Sequence, residues 1–277
     1  MLVKDYPLWT TEQYPFPLMP NLRIYTSDAP DAKPAVLVLP GGAYYLVSER
    51  EDEPMALAYA QAGFNVCVLT YTVRGESLPP IGTQPLKDAA RAIELMRLHA
   101  GEWKLVPDKI AICGFSAGGH LAASLSVFGD SAYLQSVYSA QTSTRPNASI
   151  LIYPVISGSN YLHSGSFKNL FGDEPNELYD HFSLECRVDA QTPPTFLMHA
   201  ADDMGVRVEN SLLYATALSK HGVPFSMHIY EQGGHGTSTS DFLLNQLDKN
   251  PVTPVMTHSA SWVPLSVEWL RMRFGMV

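Results

Sequence analysis

The pentapeptide Gly114-Phe115-Ser116-Ala117-Gly118 follows an apolar run and precedes a series of small residues. The run, Ile110 to Cys113, is typical of a strand buried on both faces, and the residues after it predict a helix. In the pattern G-x-S-x-G, a serine at such a junction occupies a strained turn that exposes its hydroxyl. The flanking glycines let the helix and the neighbouring strand approach closely. Ser116 is therefore our candidate nucleophile.

A serine hydroxyl is a weak nucleophile until a neighbouring base takes its proton. His235 lies in Gly233-Gly234-His235-Gly236, directly after the last predicted strand, where glycines let a loop bring the imidazole over the serine. We expect His235 to be the base. The other histidines considered lie in or near predicted strands and helices, where surface or core roles are commoner: His99, His120, His199, His221 and His228.

Two acids, Asp202 and Asp203, follow the predicted strand that ends at His199. They lie between Ser116 and His235, which gives the order Ser, Asp, His. Either carboxylate could orient the imidazole, and both remain open on chain order alone. Adjacent acids at a strand end also form turns, and we expect that role or simple solvation for Asp202.

Strands and helices alternate along most of the chain. The predicted strands are 35–39, 65–70, 110–113, 148–153, 195–199 and 225–230, and the predicted helices between and after them include 83–100, 210–221 and 262–274. This alternation predicts an α/β fold, a mostly parallel central sheet with helices on both faces. A ligand site then lies beyond the carboxyl ends of the strands, where the candidate residues fall.

Several stretches are expected to surround this sheet within one domain spanning residues 1–277. Residues 1–32 are proline-rich, which predicts a wrapping arm with at most an edge strand at 22–26. Residues 157–188 have no sustained period, which predicts a small cap or insertion. Ser48 and Glu51 match a capping box, so the acids from 49 to 53 are expected to complement a helix N-terminus.

Four motifs together resemble one enzyme family: PGGAY at 40–44, GFSAGG around Ser116, HAADDMGV at 199–206 and GGHG around His235. They are similar to the α/β-hydrolase esterases, particularly the acetylesterase, xylan-esterase-like branch related to hormone-sensitive lipase. The resemblance covers about residues 33 to 275. It implies an α/β-hydrolase fold and places the triad acid four residues after the histidine that ends the strand, which selects Asp203.

The resemblance also implies an oxyanion hole made of backbone N–H groups. These map to Gly42 and Ala43 in the glycine-rich loop and to Ala117 after the nucleophile. Two residues depart from the HGGG-type loop: Pro40 replaces its histidine and Ala43 its last glycine. Ala43 is expected to be strained if its φ is positive.

We therefore expect a serine carboxylesterase that hydrolyses short-chain esters, acetyl esters foremost and those of sugars among them, through an acyl-enzyme. Tyr44 and Phe115 are candidate substrate-binding residues, although such aromatic side chains pack in cores more often. Because neutral His235 is needed, activity should rise with pH through the neutral range.

Three other functions stay open. A serine peptidase or amidase shares the motif, but 277 residues leave no room for the propeller domain that prolyl-oligopeptidase-type enzymes carry. A non-catalytic hydrolase-fold binding protein is the second. The third is metal-dependent hydrolysis, for which the only ligand set lacks compact spacing: His199, Asp202, Asp203 and His235. The glycine-rich loop matches no nucleotide-binding pattern.

The composition limits the classes of partner that this protein is expected to bind. A formal net charge of -9 without a basic run disfavours nucleic acid and anionic membranes. No signal-like or membrane-length apolar segment is found, so we expect a cytoplasmic protein. Cys67, Cys113 and Cys186 suit neither a disulfide framework nor a zinc site, and we expect no cofactor. A homo-oligomer is left open.

Overall fold

The computed structural model describes residues 1–14, 16–17, 19–76, 78–173, 177–238 and 254–276, and these form one twisted sheet covered by helices. The strands are β1 (Leu2–Pro7), β2 (Asn21–Thr26), β3 (Lys33–Leu39), β4 (Asn65–Thr70), β5 (Leu105–Phe115), β6 (Ala148–Ile152), β7 (Thr195–Ala200) and β8 (Phe225–Tyr230). Their order across the sheet is β1-β2-β4-β3-β5-β6-β7-β8. The pairs β1–β2 and β2–β4 are antiparallel, and the others are parallel.

The helices within these residues are α1 (Glu53–Gln61), α2 (Gln84–Leu98), α3 (Ala117–Phe128), α4 (Ala132–Val137), α5 (Ser164–Phe171), α6 (Glu177–His181), α7 (Glu209–Lys220), α8 (Pro254–Ser259) and α9 (Trp262–Phe274). Helices α2, α3 and α7 contribute to a core cluster on one face of the sheet, and α1 and α9 to a cluster on the other. The predicted α/β architecture, with helices on both faces, is confirmed.

Strand β3 shows why the central strands are continuous apolar runs. Leu37 belongs to the cluster on one face, whereas Val36 and Val38 belong to the cluster on the other. A parallel strand with helices on both sides buries every side chain, so the sequence shows no polar alternation. The carboxyl ends of β3, β5, β7 and β8 lead into the four motifs described above.

The prediction for the first thirty-two residues needs two corrections. Strand β2 is not an edge strand, because it pairs with β4 on one side and β1 on the other. Strand β1 was not predicted at all. Its side chains are mostly exposed, so it lacks the hydrophobic pattern by which a strand is recognised.

Residues 157–188 contain α5, α6 and a 3₁₀ turn at Leu184–Cys186. Their aromatic side chains Phe167, Tyr179 and Phe182 are buried in the larger core cluster. The segment also touches the glycine-rich loop, because Asn169 donates a hydrogen bond to the Ala43 carbonyl at 2.9 Å.

Among the described residues, no helix is both long enough and apolar enough to span a membrane.

Candidate active site

Ser116 occupies the sharp turn between β5 and α3. Its backbone has φ 51° and ψ −116°, a conformation that L-residues rarely adopt. The turn is tight because α3 lies almost against the loop after β3: a Cβ on Gly118 would be 2.2 Å from the Leu39 carbonyl oxygen. A Cβ on Gly114 would be equally close to the Gly118 carbonyl oxygen. These two contacts explain why glycine flanks the serine.

His235 reaches the serine from the loop after β8. Its Nε2 lies 2.8 Å from Ser116 Oγ. Gly234 and Gly236 have positive φ angles of 65° and 75°, which glycine adopts without steric cost, so the loop can turn the imidazole toward the sheet edge. The ring also packs edge-on against Tyr153, with centroids 5.0 Å apart.

Asp203 completes this chain of hydrogen bonds. Its Oδ2 lies 2.7 Å from His235 Nδ1, while its Oδ1 accepts hydrogen bonds from the backbone N–H groups of Gly205 and Val206. A carboxylate at Nδ1 places the ring proton there, which leaves Nε2 free to accept the serine proton. Burial opposes ionisation of Asp203, but hydrogen bonds from His199 and His235 outweigh it and hold its pKa well below its usual range.

The neighbouring Asp202 does not reach the imidazole. It is exposed and accepts a hydrogen bond from the Gly234 backbone N–H at 2.8 Å, which joins the loops after β7 and β8 at the surface. Of the two roles expected for adjacent acids at a strand end, Asp203 makes the turn-forming bonds and Asp202 is the solvated residue.

His199, one of the rival histidines, supports the acid. Its Nε2 lies 2.9 Å from the Val206 carbonyl oxygen and 3.3 Å from Asp203 Oδ2, so this nitrogen carries the proton. Its Nδ1 lies 2.8 Å from Ser211 Oγ. The residue is fully buried. His199 is thus a satisfied core histidine that also contacts Asp203.

The other buried rival, His120, is unsuited to act as a base. It lies in α3 with Nδ1 2.9 Å from the Tyr44 hydroxyl and Nε2 3.2 Å from the Phe182 carbonyl oxygen. Burial lowers its pKa to about 4.

The loop after β3 contains consecutive residues with positive φ: 124° at Gly42, 55° at Ala43 and 57° at Tyr44. The backbone strain expected at Ala43 is therefore present, and such a conformation costs a non-glycine residue about 1–3 kcal/mol of conformational free energy. Among the described residues, no group accepts a hydrogen bond from the backbone N–H of Gly42, Ala43 or Ala117. These three donors are available to a ligand.

The capping box predicted at Ser48 and Glu51 is wrong. Ser48 makes no side-chain cap, and Glu51 turns inward, where it is only 4% exposed. Its Oε2 accepts a hydrogen bond from the Gly41 backbone N–H at 2.6 Å, and its Oε1 accepts one from the Tyr153 hydroxyl at 2.7 Å. Burial raises the pKa of this carboxyl group.

A cleft of about 550 Å³ opens above Ser116. It is lined by the serine and His235 together with Gly42, Ala43, Tyr45, Leu46, Ser48, Arg50, Glu51, His163 and Gly236. His163 comes from the segment before α5, and no sequence pattern singled it out. Because its Nδ1 accepts a hydrogen bond from the Ser166 N–H, its proton lies on Nε2.

The two predicted substrate-binding residues, Tyr44 and Phe115, do not line this cleft. Tyr44 is buried and bonds to His120, because the left-handed turn at 43–44 directs its side chain into the core. Phe115 is fully buried and packs against Tyr153 and Trp262, since the last strand residue points to the face opposite the serine. Tyr45, one residue later, lines the cleft instead.

In the described part of the chain, no group of three or more His, Cys, Asp or Glu side chains is placed so that it could hold a metal ion.

The chain is similar to several known proteins. The BD-FAE family model matches residues 22–218. Endo-1,4-beta-xylanase B of Butyrivibrio fibrisolvens is 35% identical over 239 residues, which are 84% of this chain and 38% of that protein. The acetylxylan esterase of Xylanibacter ruminicola is 32% identical over 210 residues, 73% of this chain and 40% of that protein. The chain thus spans about two fifths of the length of these relatives.

One solved structure matches over nearly its full length. It is an acetyl ester-xyloside bifunctional hydrolase from Caldicellulosiruptor lactoaceticus, 36% identical with a TM-score of 0.84. The match covers 99% of this chain and 97% of that one.

Proposed function

Because the chain belongs to the BD-FAE family of α/β-hydrolases, we propose that it is a serine carboxylesterase that removes short acyl groups, acetyl foremost, from esters of sugars. The observation that carries this proposal is the continuous path of hydrogen bonds from Ser116 through His235 to Asp203 at the floor of the cleft. This arrangement serves acyl transfer without a cofactor.

In the proposed reaction, Ser116 Oγ attacks the ester carbonyl while its proton passes to His235 Nε2. The carbonyl oxygen becomes an oxyanion, which accepts hydrogen bonds from the N–H groups of Gly42, Ala43 and Ala117. The C–O bond to the alcohol then breaks, and His235 donates its proton to the departing oxygen. Asp203 holds the imidazole tautomer and stabilises the imidazolium throughout.

The second half repeats these steps with water. His235 takes a proton from a water molecule, whose oxygen attacks the acyl carbon of the acyl-enzyme. The tetrahedral intermediate collapses, the bond to Ser116 Oγ breaks, and the serine recovers its proton from His235. The products are the free alcohol and the carboxylic acid.

Support for a sugar as the alcohol comes from the relatives, whose names include a xylanase, an acetylxylan esterase and an acetyl ester-xyloside hydrolase. The cleft walls agree with this choice. They combine an aromatic side chain, Tyr45, with hydrogen-bonding groups on Ser48 and His163. Sugar hydroxyls both donate and accept hydrogen bonds, and such mixed walls satisfy them.

Two assays test the proposal. p-Nitrophenyl esters from acetyl to dodecanoyl should give the highest kcat/KM at acetyl or propionyl, and acetylated xylo-oligosaccharides should release acetate. Aminoacyl p-nitroanilides test the peptidase alternative, and faster cleavage of them than of the esters would overturn the esterase assignment.

A fluorophosphonate probe tests the alternative of a non-catalytic binding protein. We expect covalent labelling of the wild-type protein and none of Ser116→Ala. A wild-type protein that is neither labelled nor active on esters would contradict the proposed function.

A further inference from the structure

Glu51 is a buried carboxylate in the wall of the cleft, and the reaction described above gives it no role. It stands between two parts of the site that come from distant parts of the chain. One part is the loop with the oxyanion donors, reached through the Gly41 N–H; the other is the segment after His235, reached through Tyr153.

The hydrogen bonds around Glu51 suit a carboxylate that accepts with both oxygens. The Gly41 N–H can only donate, so Oε2 must accept. The Tyr153 oxygen accepts a hydrogen bond from the Ser238 backbone N–H at 2.9 Å, and its own proton is directed to Oε1. Both carboxylate oxygens therefore act as acceptors.

The second end of this connection reaches the catalytic base. Ser238 lies three residues after His235, and its hydroxyl donates to the Arg50 carbonyl at 2.6 Å. Tyr153, which binds the Ser238 N–H, also packs its ring edge against the imidazole. Glu51 and Tyr153 thus fix the chain on the far side of His235.

At Gly41, the other end of the connection, Glu51 binds a loop whose backbone is strained. Ala43 and Tyr44 both have positive φ, a conformation that persists only where surrounding contacts enforce it. Gly41 is packed closely: a Cβ there would lie 2.8 Å from Glu51 Oε2 and 3.1 Å from Ser116 Cβ. The Glu51 bond to Gly41 is thus adjacent to both the strained residues and the nucleophile.

We propose that Glu51 is a positioning residue that joins the oxyanion loop to the His235 loop through the Gly41 N–H and the Tyr153 hydroxyl, so that both are aligned on Ser116. This inference rests on the proposed esterase function. It makes Glu51 important for the transition state and less so for substrate binding, because the oxyanion forms only after the ester has bound.

The test is Glu51→Gln, which keeps the size of the side chain. A glutamine has one acceptor oxygen, so when that oxygen accepts the Gly41 N–H, its amide group faces the Tyr153 hydroxyl, whose proton loses its acceptor, and this end of the connection is weakened. Removing an oxyanion donor lowers kcat by about 10²–10³-fold, and for a displaced donor we expect about 10–100-fold with KM nearly unchanged. The rate of fluorophosphonate labelling should fall by a similar factor.

Asp88→Asn is the matched control. Asp88 is also a buried carboxylate that accepts a backbone N–H bond, here from Thr72 at 2.8 Å, and it does not line the cleft. The inference is overturned if Glu51→Gln keeps kcat within about threefold of the wild type, or loses no more than Asp88→Asn. A wild-type protein inactive on all esters would instead contradict the proposed function.

Tyr153→Phe gives a second measurement if Glu51→Gln does not fold. It keeps the ring beside His235 and removes only the hydroxyl that joins Glu51 to Ser238. We expect kcat to fall by about 3–10-fold with KM unchanged, and an unaltered kcat would overturn the inference.

Discussion

Asp203 accepts three close hydrogen bonds, two from backbone N–H groups and one from His235. Its neighbour Asp202 accepts one from the Gly234 backbone N–H and stays at the surface. Two adjacent residues of the same type therefore have different environments, and they form a natural pair for mutation.

Asp203→Asn should reduce kcat by about 10³–10⁴-fold. The asparagine oxygen can still accept from Gly205 and Val206, but its amide group then faces two N–H donors, His235 and His199, and the imidazole tautomer reverses. Asp202→Asn should stay within about threefold of the wild type, because its amide oxygen can still accept the Gly234 N–H. Comparable losses in steady-state assays of both variants would contradict the assignment of the acid.

The pH profile of kcat/KM is the second prediction at this scale. The pKa of Asp203 is held well below its usual range, so Asp203 stays ionised in weak acid. Burial, followed by the nearby His235, lowers the pKa of His163, which keeps that ring neutral. Activity should therefore fall as the pH is lowered, with a slope of about one in log kcat/KM, because the proposed reaction needs one neutral base.

At more acidic pH the slope should steepen. Burial raises the pKa of Glu51, so this carboxylate binds a proton before most carboxylates do, and the connection to Gly41 weakens. The Glu51→Gln variant should keep the slope of about one in log kcat/KM and should not show the steeper slope at more acidic pH. A wild-type slope of one over the whole acid limb would contradict this role of Glu51.

Glu51 was misplaced from the sequence for a physical reason. The spacing of Ser48 and Glu51 is that of a capping box at a helix N-terminus. In the structure the Glu51 carboxylate instead accepts a hydrogen bond from the buried Gly41 backbone N–H. The motifs predicted Ser116 and His235 and the family resemblance predicted Asp203, and the fold brings the three side chains together, because such motifs encode a turn and its side chain together. No local pattern encodes which distant backbone group a side chain meets.

At the scale of elements, the contact between α3 and the end of β3 determines where the nucleophile lies. A Cβ on Gly118 would lie 2.2 Å from the Leu39 carbonyl oxygen and 2.4 Å from that of Pro40. Both atoms belong to the backbone and cannot rotate away. Helix α3 would have to move bodily, together with Ser116 at its N-terminus.

Gly118→Ala should therefore destabilise the fold by more than about 3 kcal/mol and abolish esterase activity. Chemical denaturation followed by circular dichroism measures the first effect. Gly101→Ala serves as the control, because a Cβ at Gly101 meets no atom within 4 Å. Equal stability of the two variants would contradict the close approach of helix and strand.

Element prediction succeeded where a segment shows a sustained apolar pattern and failed where it shows none. Strands β4 and β8 and helix α9 have the predicted bounds, because their apolar patterns are sustained. Strand β1 is largely exposed and gains its order by pairing with β2, the next strand along the chain, in a register that runs from Pro7 opposite Asn21 to Leu2 opposite Thr26. Such pairing leaves no periodic pattern to recognise.

At the scale of the whole molecule, the two core clusters enclose two of the three cysteines. Cys67 and Cys113 lie in central strands, and burial raises the pKa of both thiols well above the usual value. Cys186 is exposed. The thiolate is the reactive form of cysteine. Cys67 and Cys113 are therefore protected from reagents twice, because they are buried and because their thiols do not readily ionise.

A thiol-specific chromogenic reagent should therefore modify one cysteine in the native protein and all three after unfolding in guanidinium chloride. Cys186→Ser should show no rapid phase in the native state. Rapid modification of two or more thiols without denaturant would contradict the packing of the sheet.

The tight glycine contacts around Ser116 also limit which substitutions this chain can accept. Substitutions at Gly114 or Gly118 meet backbone atoms, so evolution and laboratory selection have little freedom there. Tyr45 and Leu46 are exposed at the cleft mouth and can vary without disturbing the catalytic frame. New acyl or alcohol preferences should therefore arise at this rim, and libraries confined to it should yield active clones most often.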